Sequence, residues 1–142
     1  MEPTDFLKTA ELLKSQNEQA HLRTSAGRSY YAAFLFFRER FKSLGLEKKK
    51  QPKMGVHAFV TQCLQYSEVT ECTKAAQYLR DLQQIREDAD YHIEKDFSQN
   101  DAEDAFVRVQ TLLKDFRKNM TPEKDRLFYN NAKTFAKLKK WI

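Results

Sequence analysis

Apolar residues return at intervals of three and four along almost the whole chain, and only three glycines and three prolines interrupt its 142 residues. That period is the signature of one face of an α-helix, and the strict alternation of a strand persists nowhere. The spacing predicts an all-α fold of six helices. The first begins at about Thr4, a suitable N-cap, and sets Phe6, Leu7, Ala10 and Leu13 on one face. A second, from about Gln19 to Leu44, is apolar nearly all round between Tyr30 and Phe37, as expected of a helix buried in a core or a dimer seam; Gly45 stops it. The third starts at about Val56 and the fourth extends from about Glu71 to Ile93. Ser98 or Asn100 caps the fifth, with Asp101, Glu103 and Asp104 in its first turn, where the helix dipole favours acids. Thr121 and Pro122 open a sixth, amphipathic helix reaching Ile142, which could dock on a partner helix or on a second protomer with Trp141 as its anchor.

A chain of this length supports one hydrophobic core. The expected organisation is a four- to five-helix bundle over residues 1–120, with the basic amphipathic helix 121–142 packed on it or appended to it. From Arg117 to Ile142 there are eight Lys or Arg against Glu123 and Asp125, which accounts for the whole net charge of +5. Such a basic end suits a phosphate backbone, an acidic partner or a membrane surface, and it suits a solvated helix face equally well. No apolar run approaches the ~18 residues that span a bilayer, so integral membrane association is not expected. Acids within MEPTDFLKTAELLK break any secretory apolar stretch, and Cys63 and Cys72 form no CxxC pair. A reducing, cytoplasmic setting is the expectation. GxGxxG, phosphate-loop, GxSxG and HExxH motifs are all missing, and His21, His57 and His92 lack metal-ligand spacing with the cysteines. No metal or other cofactor is therefore expected.

Three segments carry a family resemblance. RSYYAAFLFF at Arg28–Phe37, GVHAF at Gly55–Phe59 and LRDLQQIREDADYH at Leu79–His92 resemble elements of HEPN superfamily domains, in the subgroup with YYAAF and RxxADY elements. The resemblance covers the first five helices and none of the tail. It implies a HEPN-like bundle and, as in many HEPN proteins, a metal-independent endoribonuclease whose arginine and histidine lie on the fourth helix. Here those residues are Arg86 and His92, with Glu87 standing where the pattern usually has Asn, Asp or His, and Tyr91 at the commonest histidine spacing. The chemistry is coherent on its own terms. An imidazole can take a proton as a ribose 2′-hydroxyl attacks phosphorus, and a guanidinium can hold the developing phosphorane charge. Only RNA supplies that hydroxyl.

Six positions along a helix turn Arg86 and His92 about a third of a turn apart, so a homodimer that pairs two copies of the motif is expected to complete the site. Tyr91 and the basic residues Lys48, Lys49, Lys50 and Lys53 are the candidate substrate contacts, the lysines through sequence-independent phosphate attraction. Related systems pair such a domain, acting as a toxin, with a nucleotidyltransferase that modifies a tyrosine two residues beyond the histidine; that position is Glu94 here. The leading expectation is a toxin or antiviral endoribonuclease. The alternative is a non-catalytic module that dimerises and binds a protein partner, in which Asp90 pairs with Arg86 at i+4 along the helix.

Overall fold

The computed structural model describes residues 1–49 and 55–142, and among them there are six helices and no strand. They are α1 (Asp5–Leu13), α2 (Gln19–Ser43), α3 (Val56–Gln65), α4 (Thr70–Tyr91), α5 (Gln99–Asn119) and α6 (Pro122–Leu138). The all-helical bundle read from the spacing of apolar residues is thus present, with each start within about two residues of its expected place.

Local chemistry explains the ends. Gly45 adopts φ 76° just past α2, a backbone conformation that costs glycine little. Thr121 accepts a hydrogen bond from the Lys124 amide at 3.2 Å, and Pro122 fills the first helical position, where no amide donor is needed. Asp101 accepts from the Ser98 amide and hydroxyl at 2.8 and 3.0 Å while the Ser98 hydroxyl receives the Asp101 amide, a reciprocal cap on α5.

Two compact units make up the chain, Met1–Phe36 with Tyr78–Leu113 and Phe37–Gln77 with Lys114–Ile142. In the first, Leu22, Ala26, Tyr30 and Phe34 of α2 are buried together with Leu79, Leu82 and Ala89 of α4 and Ala102, Phe106 and Val109 of α5. Ser25, fully buried, donates to the Ala10 carbonyl at 2.7 Å and ties α1 to α2. The second is built on aromatic contacts. Phe41 stands edge-on to Phe59 and tilted against Phe128, and Phe37 meets Phe116 edge-on. Arg40 pairs with Asp125, and Lys124 reaches Glu71 at 2.7 Å.

The tail departs from the expected helix to Ile142. α6 stops at Leu138, Lys140 turns to φ 61°, and the Trp141 amide donates back to the Ala136 carbonyl at 2.8 Å. That six-to-one bond closes the helix end although no glycine is present. The Trp141 ring then packs edge-on against Phe59 and Phe135, and its carbonyl accepts the Lys49 amide. The expected anchor for a partner is held by its own chain.

No helix among the described residues is long and apolar enough to cross a membrane.

Candidate functional site at the end of α4

α4 ends at Tyr91, so His92 is the first residue past the helix, and its amide still donates to the Asp88 carbonyl at 3.1 Å. Its side chain is 45% exposed, and Nδ1 lies 2.7 Å from Oδ1 of Asp88. A neutral imidazole held this way donates from Nδ1 and leaves Nε2 as a base directed to other partners. Asp88 is itself surrounded by donors, Gln84 at 3.1 Å and Lys95 Nζ at 3.6 Å. Desolvation would raise its carboxyl, but the His92 and Gln84 hydrogen bonds and the charge of Lys95 outweigh that and lower the pKa from its ordinary 3.8. The stabilisation this carboxylate gives is therefore present above 3.8 and is lost as pH falls through the lowered value, so the Asp88–His92 pair holds at neutral pH.

One residue of α2 fixes the backbone of this corner. The Arg23 guanidinium donates from Nη1 to the carbonyls of Asp88, Ala89 and His92 at 3.2, 2.9 and 3.2 Å, and from Nη2 to that of Lys95. Carbonyls at a helix C-terminus lack intrahelical partners, and the dipole favours a cation there. Arg23 also lies over the Phe97 ring at 5.7 Å. Replacing Arg23 by Met keeps the aliphatic stem and removes all four donations. Amides from Asp88 to Lys95 are expected to exchange with solvent at least tenfold faster, as hydrogen exchange would show, with α5 amides unchanged; equal protection would contradict the capping role.

Arg86 occupies a separate part of the helix. Its Nε lies 3.0 Å from Oδ2 of Asp90, close enough for charge pairing but not aligned for an N–H donation. The guanidinium sits over Tyr31 at 5.4 Å and over Tyr91 at 6.0 Å. Desolvation works against its charge, yet Tyr31, Asp90 and Tyr91 hold its pKa above the ordinary value. So Arg86 and His92 each have their own carboxylate, and among the described residues no hydrogen bond or ion pair joins them. Tyr91 was expected as a substrate contact and is 68% exposed, with Ile93 beyond His92 at 79%.

Behind Asp88 lies a cavity of about 280 Å³ lined by Asp96, Asp101 and Asp104 as well, with Lys95 the cation among them. That side repels a polyanion. A phosphate meeting His92 must approach from elsewhere. Among the described residues, no three His, Cys, Asp or Glu side chains gather as a metal-binding group.

The other expected contacts are in the second unit or outside the described residues. Lys48 and Lys49 line a cavity of about 280 Å³ floored by Phe41, Phe59 and Val60. Lys48 donates to the Lys49 carbonyl at 2.9 Å. Lys50 and Lys53 lie outside the described residues. Cys63 and Cys72 are free and fully buried, and burial pushes both thiols up to about 12, which removes a thiolate nucleophile from consideration.

Asp88 and Arg23 are the two residues at this site that the motif did not supply. The i, i+4 spacing of Asp88 and His92 was visible in the sequence; the Arg23 contact, bridging 65 to 72 positions, was not. Comparison with family models, with curated proteins and with solved structures finds no match for the chain.

Proposed function

We propose that the protein is a HEPN-type endoribonuclease that works without a metal ion, and that His92 oriented by Asp88 is its general base. The observation that carries this reading is the Asp88–His92 pair, an imidazole with one nitrogen on a carboxylate and its ring about half exposed. His92 Nε2 takes the proton of a ribose 2′-hydroxyl, the 2′-oxygen bonds to phosphorus, and the bond from phosphorus to the 5′-oxygen breaks. The 5′-oxygen leaves with a proton returned by the imidazolium. The products are a 2′,3′-cyclic phosphate and a 5′-hydroxyl. Arg86, held by Asp90 and two tyrosines, supplies positive charge to the phosphorane.

Because six positions along a helix turn Arg86 and His92 about a third of a turn apart, the proposed site is composite, with Arg86 of one protomer meeting His92 of a second copy across a two-fold axis. Exposed Ile93 beside His92 is the sort of apolar surface that such an assembly covers. The setting proposed is cytoplasmic and the role that of a toxin or antiviral effector.

Incubating the protein with ribo- and deoxyribo-oligonucleotides of one sequence, in excess chelator, tests this. Cleavage of the ribo strand alone, with cyclic phosphate ends, is expected. Mixing inactive Arg86→Ala and His92→Ala proteins should restore part of the activity, since one site of a mixed dimer is then complete. Failure of the parent protein to cut any RNA, or equal cutting of DNA, contradicts the proposal.

A second reading is favoured by the Arg86 to Asp90 pairing and the acidic cavity behind Asp88. In it the protein is a non-catalytic HEPN module that dimerises and binds a protein partner such as a nucleotidyltransferase. It predicts no cleavage under any of these conditions.

A further inference from the structure

Arg28 belongs to α2, three positions before Tyr31. Its guanidinium lies 4.8 Å from the centre of the Phe6 ring and 5.4 Å from that of Tyr31. Arg86 of α4 lies 5.4 Å from the same Tyr31 centre and 6.0 Å from Tyr91. Three helices of the first unit thus contribute rings and cations in alternation, Phe6, Arg28, Tyr31, Arg86 and Tyr91, ending on a ring that is 68% exposed.

The charges along this strip are unequally balanced. Arg86 has Asp90 beside it, whereas Arg28 has no hydrogen-bond or ion-pair partner among the described residues. A ring under a guanidinium stabilises the charge but accepts none of its five N–H donors in the plane. Both cations lie 5.4 Å from one ring centre, so their separation cannot exceed twice that distance, and they repel each other. An anion with in-plane acceptor oxygens relieves both conditions, and a phosphate matches the guanidinium fork.

We propose that this strip binds single-stranded RNA, with Arg28 holding a backbone phosphate and Tyr91 stacking a base next to His92. The RNA class of ligand rests on the function proposed above; the role of Arg28 does not depend on catalysis. Alternating rings and guanidiniums suit a strand in which bases alternate with phosphates, and they suit an acidic peptide less, since it has nothing to stack. Phosphate attraction, expected from the lysines after Leu46, is thereby assigned to an arginine of α2.

The test uses the full chain and an end-labelled, fully 2′-O-methylated oligonucleotide, which cannot be cleaved, with anisotropy read across a salt series. Arg28→Gln should weaken binding by about tenfold or more and reduce the slope of log affinity against log salt by about 0.7, the share of one single-strand phosphate. Arg28→Lys should keep the slope. Tyr91→Ala should weaken binding by about tenfold and Tyr91→Phe should not, because stacking needs only the ring. Thermal melting of each variant separates lost binding from lost folding, and the Lys and Phe variants keep the test sound if the others unfold.

Unchanged affinity and slope in a folded Arg28→Gln protein overturn the proposal, as does competition by poly-glutamate equal to that by RNA. Arg28-dependent binding without cleavage of ordinary RNA sustains the strip and sinks the nuclease. Cleavage that is indifferent to Arg28 and Tyr91 does the reverse.

Discussion

His92→Ala is expected to lower the rate of RNA cleavage by roughly 10²- to 10⁴-fold, the range that a positioned general base contributes. The imidazole is half exposed and lies past the end of α4, so its removal leaves no buried cavity and the variant should melt close to the parent. Asp88→Asn keeps the size of the side chain but not its charge, and Asn can offer Nδ1 an amide as readily as a carbonyl. A loss of roughly 10- to 100-fold is expected, comparable with that seen when the partner orienting a functional histidine is removed. Nitrogen chemical shifts of His92 should register the same change, with the Nδ1–H tautomer dominant in the parent and less populated in Asp88→Asn. If Asp88→Asn cuts RNA at the parental rate, the carboxylate has no role in orienting the base.

Phe41→Ala is expected to have the largest effect on stability. The side chain is 1% exposed and holds Phe59 at 6.0 Å and Phe128 at 5.3 Å between ring centres. Truncating a buried phenylalanine costs about 3–5 kcal/mol, a large share of the ~5–15 kcal/mol that stabilises an ordinary domain. For a chain of this size the melting temperature should fall by about 10 °C or more. Circular dichroism follows the helices while Trp141 fluorescence follows the second unit directly, since Trp141 lies against Phe59. Leu127→Ala, on the exposed side of α6, is the control and should change stability by no more than about 0.5 kcal/mol. A shift under about 3 °C for Phe41→Ala would mean that the aromatic cluster is not what holds this unit together.

Helix positions were readable where local punctuation sets the boundary, although Thr4, the expected cap of α1, makes no side-chain capping bond. Thr121 with Pro122, Ser98 with Asp101, and Gly45 each act within a few residues of the boundary they set. The end of the tail was not readable, because the turn at Lys140 uses a left-handed conformation at a residue type that does not announce it, and the packing that holds it comes from Phe59, far away in sequence. The site shows the same division. Arg86 and His92 were visible as a motif, and the pairing of Arg86 with Asp90 followed from helical spacing. Arg23 and Arg28 look alike in sequence, five positions apart on one helix. One caps four carbonyls and the other faces two rings with no polar partner among the described residues, a difference decided by what α1 and α4 place beside them.

Chemical rescue tests whether the imidazole at position 92 moves the proton. His92→Gly removes the side chain at a position outside the helix, where glycine is tolerated, and free imidazole can then be supplied to RNA and chelator. Cleavage is expected to be nearly absent in this variant and to return in proportion to added imidazole, with no such rescue for Arg86→Ala; full activity of His92→Gly without imidazole would mean that another group takes the proton.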